Sequence, residues 1–407
     1  MSLEDSPTQT VPGSRWPDPA LRFLLWQLKR LHQGSLEVTG PDGRTHAIQG
    51  THPGLEAAIT IHRPGPLLRR LLSRGLVGLG EGYMAGDWDS PDLQTLLAMG
   101  SVNQEHVRTL VYASPWSRVA DYLRHRWRDN HPTGSRRNIA YHYDLGNAFY
   151  RLWLDDGMTY SCALFATEEE PLETAQERKY ARLLERLAPE PGARLLEIGC
   201  GWGGFAEYAA RQGHHVTGLT LSQEQLDFAR ERLRAAGLAH RVDLRLQDYR
   251  DLKDTFDHVV SIEMFEAVGE RFWDDWFQSI RRALRPGGRA VVQTITLDEA
   301  AFGYYRRAAD FIQLYIFPGG MLPTGTTFET GAANAGLRTL ERDFFGADYA
   351  RTLDRWYRRV REQAPAIRAL GYDEPFLRMW LFYLAYCEAG FRSRNTDLMQ
   401  TVLEAPA

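Results

Sequence analysis

Apolar positions in the first quarter of the chain follow two periods. "PALRFLLWQLKRLHQ" and "GPLLRRLLSRG" repeat them every three or four residues, as amphipathic helices do, whereas "SLEVTG" and "LEAAITIH" alternate as strands do. The mixture predicts a small α+β unit over residues 16–115. From Pro191 onward the periods alternate regularly: "ARLLEIG", "GGFAEYAARQG", "HVTGLTL", "SQEQLDFARERLRAAG", "RVDLRLQD", "FDHVVSIEM", "RFWDDWFQSIRRAL" and "RAVVQTITL" read strand, helix, strand, helix, strand, strand, helix, strand. Such βαβ repeats need a mostly parallel sheet covered by helices on both faces. Ser222 followed by Gln225 resembles a capping box for the second of these helices, and Arg285-Pro286-Gly287-Gly288 predicts a turn.

Residues 300–403 are aromatic-rich and helical in period, as in "YARTLDRWYRRVREQ" and "PFLRMWLFYLAYCEAGF", and are expected to cover the sheet ends as a lid. The expected plan is a disordered start over 1–15, the α+β unit, a linker at 116–138 and an α/β domain over 139–407. The linker region contains "RHRWRDNHPTGSRRN", readable as a solvated connection or as a surface for anionic lipid headgroups. The first helix has the same two readings, core-facing or interfacial.

Composition narrows the class. A net charge of −4 gives no reason to expect nucleic acid, and no run approaches the length of apolar residues that spans a membrane. The polar start lacks the pattern of a signal peptide. Three scattered cysteines without metal-ligand spacing fit a reducing cytoplasm. Of 48 cationic residues all but Lys29, Lys179 and Lys253 are arginine, which reads as a coding bias or as a preference for phosphate.

The chemistry starts at "LLEIGCGWGG". Gly199, Gly201 and Gly203 fall on a strand-to-helix turn, where glycine admits a ligand close to the backbone. Glu197 ends the strand before them, so the turn resembles the E/D-x-G-x-G-x-G of Rossmann-like methyltransferases. An acidic residue there suits the cationic groups of S-adenosylmethionine. Asp248 ends the third strand, where such enzymes often meet the adenine amino group.

Further along, "GLGEGYMAGDWD", "NIAYHYDLGNAFY", "MTYSCALF", "LTLSQEQ", "FEAVGE", "YIFPGG" and "YLAYCEAGFR" occur in order. Together with the glycine turn they resemble the cyclopropane fatty acyl phospholipid synthases and mycolic acid cyclopropane synthases, over about 80–400. The resemblance implies an enzyme that docks on the inner face of the cell membrane and adds a methylene group to an acyl-chain double bond of unsaturated phospholipids. Bicarbonate would be its base, and a homodimer is possible. Carried over, the bicarbonate ligands fall on the Cys162 and Ile295 backbones and on Glu266 and Tyr349, with Gln293 beside them and Cys387 as a further active-site candidate. The cofactor set adds Tyr160, Ser161, Thr220, Leu221, Gln225 and the Asp248-Tyr249 pair. Cys387 can equally be a core-filling thiol, and His142 and Tyr143 either cofactor-side residues or part of a turn.

Two positions depart from the family. Ala267 and Gln293 stand where relatives have histidine, and glutamine can donate to an anion but cannot titrate near neutrality. A methyl-, methylene- or hydroxyl-bearing product, a catalytically decayed lipid binder, or a methyltransferase for a soluble small molecule are therefore alternatives to cyclopropanation. Glu263 is expected to support the site, by facing the cofactor edge or pairing with arginine.

Overall fold

The computed structural model describes residues 18–106 and 145–407, so the expected disordered start, the linker, His142 and Tyr143 lie outside the described residues. The first part contains α1 (Pro19–Leu28), β1 (Gln33–Thr39), β2 (Thr45–Gln49), β3 (His52–Ile61), α2 (Pro64–Met84), β4 (Trp88–Asp89) and α3 (Leu93–Asn103). Asp18 caps α1 by accepting the Ala20 N–H, and Asp92 caps α3 through the Thr95 N–H. The strands form one sheet in the order β2-β1-β3-β4, with β1 antiparallel to β2 and parallel to β3. Helix α2 runs far beyond the helix expected from "GPLLRRLLSRG", because Gly75, at φ 55° and ψ −129°, bends the chain and lets a second helical stretch follow.

The second part opens with a short α4 (Asn147–Tyr150) and α5 (Leu172–Leu187). Then β5 (Arg194–Ile198), α6 (Gly204–Arg211), β6 (His215–Thr220), α7 (Gln223–Ala235) and β7 (Val242–Leu246) build one half of the sheet. The other half has β8 (Phe256–Ile262), α8 (Trp273–Ala283) and β9 (Leu284–Leu297), and the strand order is β10-β11-β9-β8-β5-β6-β7. Strands β7, β6, β5, β8 and β9 are parallel neighbours, while β10 and β11 are antiparallel. The topology reverses between β5 and β8, so the crevice for ligands lies beyond their carboxyl ends.

Two sequence readings need correction. Arg285 to Gly288 do not form a separate turn: they belong to β9, where Gly287 takes φ 76° and the register against β8 shifts. The segment 300–403 is not wholly a helical lid either. It holds α9 (Glu299–Tyr305), α10 (Phe311–Tyr315), α11 (Gly325–Asn334), α12 (Gly346–Glu362), α13 (Ala364–Ala369) and α14 (Glu374–Arg392), but β10 (Arg338–Phe344) and β11 (Thr396–Glu404) finish the main sheet. In β11 the buried Met399, Val402 and Leu403 pair with the equally buried interior of β9, and no alternation marks such a two-sided strand in sequence.

The two parts share a core. Leu36, Val38, Leu67 and Trp88 belong to the same apolar cluster as Trp356, Trp380 and Phe382. Helix α14 lies against α2, α3 and α12. Across this seam Arg378 donates to the Trp88 carbonyl at 2.9 Å and the Tyr315 hydroxyl donates to Glu81 at 2.5 Å. Phe149, Trp153 and Trp380 pack edge to face or tilted, with centroids 5.0–6.0 Å apart. Each such pair adds about 0.5–1.5 kcal/mol beyond simple burial.

Candidate active site

A continuous cavity of about 870 Å³ starts at the glycine turn and ends among the leucines of the first part. Its cofactor-side wall contains Tyr160, Ser161, Glu197, Gly199, Gly201, Thr220, Leu221, Gln225, Asp248 and Tyr249, so the sequence-predicted set meets there except for Gly203, which stands one step behind. Gly199, Gly201 and Gly203 all have positive φ, and a Cβ on Gly199 would lie 2.8 Å from Met264. Gly203 caps α6, and a Cβ on it would crowd Ala229.

Burial raises the Glu197 pKa to about 8, with the charge of Lys179 opposing the rise. Its Oε2 lies buried on the cavity wall and has no hydrogen-bond partner among the described residues. An orphaned carboxylate oxygen beside open glycines suits a cationic ligand, so these residues fit the amino and sulfonium groups of S-adenosylmethionine. Thr220 donates to Gln225 at 2.9 Å, and Ser222 accepts from the Gln225 N–H. The capping box therefore closes on one side, because the Gln225 side chain serves Thr220. The Asp248 carboxylate is held by Arg250, with contacts of 2.7 and 2.8 Å.

Beyond the end of β8 the arrangement differs from the carried-over one. The Cys162 N–H donates to Glu263 at 2.9 Å, Gln293 Nε2 donates at 2.8 Å, and the Tyr349 hydroxyl donates at 2.5 Å. All three meet the carboxylate of Glu263 instead of Glu266. Glu266 takes the Ile295 N–H at 2.5 Å on one oxygen, and its other oxygen is buried without a hydrogen-bond partner among the described residues. The Cys162, Ile295 and Tyr349 donors carried over for bicarbonate are thus engaged within the chain, and the Glu263 carboxylate takes the place the resemblance gives to that anion. Among the described residues Glu263 is held by these three donors and not by an arginine.

The backbone explains the exchange. Glu263 follows β8 at φ 50°, a left-handed conformation that is costly for a side-chain-bearing residue, and its N–H is fixed by the Gln293 carbonyl at 2.7 Å. This kink swings the carboxylate into the donor cluster. Burial raises the Glu263 pKa, and the hydrogen bonds from Tyr349, Gln293 and Cys162 oppose the rise. Glu266 is pushed up to about 8 by burial and by the charge of Glu263, against the Ile295 N–H. Burial and the neighbouring charge thus favour the protonated form of Glu266 near neutrality, while the three donors favour the ionised form of Glu263.

Comparison with known proteins agrees with this architecture. Residues 130–401 match the family described as mycolic acid cyclopropane synthetase. The chain belongs to that family. It is 42% identical, over 99% of both chains, to the tuberculostearic acid methyltransferase UfaA1 of Mycobacterium tuberculosis. It is 37% identical, over 88% of its length and 89% of the relative's, to the cyclopropane-fatty-acyl-phospholipid synthase of Escherichia coli K12. The mycolic acid cyclopropane synthase CmaA1, solved with SAH and CTAB, superposes with a TM-score of 0.62 at 30% identity, covering 66% of this chain and 98% of that one. By family and fold this synthetase relative is an S-adenosylmethionine-dependent methyltransferase of class I architecture.

The rest of the site is apolar and aromatic. Ile59, Leu67 and Leu97 of the first part line it, as do Cys387 and the mutually packed rings of Tyr160, Phe317 and Tyr383. Tyr160 and Tyr383 share a hydrogen bond of 2.6 Å. Burial pushes the Cys387 thiol well up, which keeps it neutral and unsuited to nucleophilic work. Sequence reasoning missed the central place of Glu263, because a backbone kink carries no sequence signal. It also missed Lys179, for which a signal existed: a rare lysine at an apolar-face position of α5.

Proposed function

We propose that this protein methylates a double bond in the acyl chain of a membrane phospholipid, with Glu263 as the proton acceptor. S-adenosylmethionine, when bound, supplies an electrophilic methyl group. The observation that carries the reading is the Glu263 carboxylate, held by three donors beside an apolar cavity reaching from the glycine turn into the first domain.

An alkene is a weak nucleophile, so the protein must fix it and keep water away. The leucine-lined end suits an acyl tail, and the rings of Tyr160, Phe317 and Tyr383 can stabilise an electron-deficient carbon. The alkene π electrons would form the new carbon–carbon bond to that methyl group while the methyl–sulfur bond breaks and S-adenosylhomocysteine departs, leaving the neighbouring alkene carbon cationic. A 1,2-hydride shift moves that deficiency to the carbon bearing the new methyl. Loss of a methyl proton to Glu263 then leaves the C–H electrons as a C=CH₂ bond branching from the acyl chain. A methylene-branched chain is the product we favour, supported by similarity over 99% of both chains to a protein named a tuberculostearic acid methyltransferase.

Cyclopropanation is the second reading, supported by similarity to the Escherichia coli synthase. There the same proton leaves before any hydride shift, and its electrons close the ring. Neither route needs bicarbonate when Glu263 accepts the proton. Phospholipid substrate, a cytoplasmic location and peripheral membrane contact belong to this proposal. Among the described residues no helix is long and apolar enough to cross a membrane.

The test uses vesicles of mono-unsaturated phospholipid with S-adenosylmethionine, followed by mass and proton NMR analysis of the released acyl chains. A gain of one CH₂ with new terminal methylene protons supports the favoured product. A gain of one CH₂ with cyclopropyl protons supports the second reading. Absence of turnover on any unsaturated lipid would overturn both and leave a decayed lipid binder, while equal turnover of a water-soluble alkene without vesicles would point to a small-molecule enzyme.

A further inference from the structure

Lys179 is fully buried on α5 and donates to the Ser161 hydroxyl at 2.7 Å. Its ammonium also sits 4.5 Å from the centre of the Tyr180 ring. One turn earlier Gln176 donates to the Ser161 carbonyl at 2.8 Å, so α5 grips both the backbone and the side chain of this residue. Ser161 faces the cavity between Tyr160 and Cys162, the residue whose N–H reaches Glu263.

An ammonium can only donate, so the Ser161 oxygen is the acceptor in that bond and its own proton must point elsewhere. Among the described residues no hydrogen bond has Ser161 Oγ as donor, and the open direction is the cavity next to Glu197. The cation polarises the hydroxyl, making it a stronger donor than an ordinary serine. We propose that Lys179 is a positioning residue which turns Ser161 into the donor for the carboxylate of the cofactor's amino-acid group.

This assignment divides the two charges of that group: Glu197 takes the ammonium and the Ser161–Lys179 pair takes the carboxylate. It also accounts for a lysine in a chain that otherwise favours arginine. A compact ammonium fits beneath a serine in a closed space, where a planar guanidinium fork does not. The carboxyls of Glu263, Asp155 and Glu197 lie near enough to act on its charge and lower the cost of burying it.

The inference rests on the cofactor reading above, and binding measurements separate the two. Calorimetry would compare S-adenosylhomocysteine, its decarboxylated analogue and 5′-methylthioadenosine on the wild type, Lys179→Met, Ser161→Ala and the double variant. Lys179→Met should weaken S-adenosylhomocysteine about 10- to 100-fold, the range of a hydrogen bond to a charged group, and leave the two analogues nearly unchanged. The double variant should bind no more weakly than the worse single one. Equal weakening of all three ligands, additive single effects, or unchanged binding would each overturn the role of Lys179. Should Lys179→Met not fold, Lys179→Gln gives the same comparison with a neutral donor. Failure of the wild type to bind S-adenosylhomocysteine would instead overturn the cofactor reading itself.

Discussion

The Tyr349 hydroxyl donates to the Glu263 carboxylate at 2.5 Å, joining α12 to the end of β8. This bond favours the ionised form of a buried carboxylate. Removing it in Tyr349→Phe should raise the Glu263 pKa, so the base is protonated over a wider acidic range. The acid limb of the kcat profile is therefore expected to move to higher pH, with turnover reduced about tenfold below that limb. An unmoved limb would detach Tyr349 from the base.

Glu263→Gln keeps the shape and removes the basic oxygen. Turnover should fall by about 10²- to 10⁴-fold, whereas S-adenosylhomocysteine affinity measured by calorimetry should change little. A variant with ordinary turnover would eliminate Glu263 as proton acceptor.

Glu263→Gly relieves the φ of 50° and vacates the space among Cys162, Gln293 and Tyr349. Those donors should then accept a small anion from solution. Added formate or bicarbonate is expected to restore turnover several-fold in this variant and to leave the wild type unaffected. Wild-type activity that disappears in bicarbonate-free buffer and returns with the anion would contradict the built-in base.

Stability should respond to Glu266, whose pKa rises to about 8, mainly through burial. Between the ordinary carboxylate range and pH 8 the unfolded chain has released this proton while the folded chain still holds it. Folding is thus penalised as pH rises through that window, and the penalty is complete above the folded pKa. Glu266→Gln can still accept from Ile295 and escapes the penalty. Its unfolding free energy should gain on the wild type steadily from pH 5 to pH 8, by on the order of a few kcal/mol, seen as a widening gap in Tm. Parallel Tm curves would show that Glu266 titrates normally.

Leu67 lines the far end of the cavity with 2% of its surface exposed. Leu67→Trp should shorten that end at a stability cost of about 1–3 kcal/mol. The kcat/KM for the longest acyl chains should fall at least tenfold, with shorter chains retained, when a chain-length series is assayed. A uniform fall across the series would argue that the tail does not reach this end.

Much of the fold is written in local pattern. The alternation from β5 to β9 and the glycines before α6 point to the sheet and its ligand crevice, because period and turn chemistry act over a few residues. What escaped depends on contacts far apart in sequence. The strand character of 396–404 depends on the partner β9, over a hundred residues earlier, and its continuous burial imitates a helix core. Glu266 and Glu263 look alike in "SIEMFEAVGE". Which of them meets Tyr349 is fixed by one left-handed backbone angle that no residue type announces.

Helix α14 borders the cavity through Phe382, Tyr383 and Cys387 and also binds the chain near Trp88 through Arg378. The four-stranded sheet and the seven-stranded sheet are consequently not separable units of folding. Expressed apart, each would present a raw apolar wall to water. Under the proposed function, an acyl tail held between them would add a rivet to the core they already share.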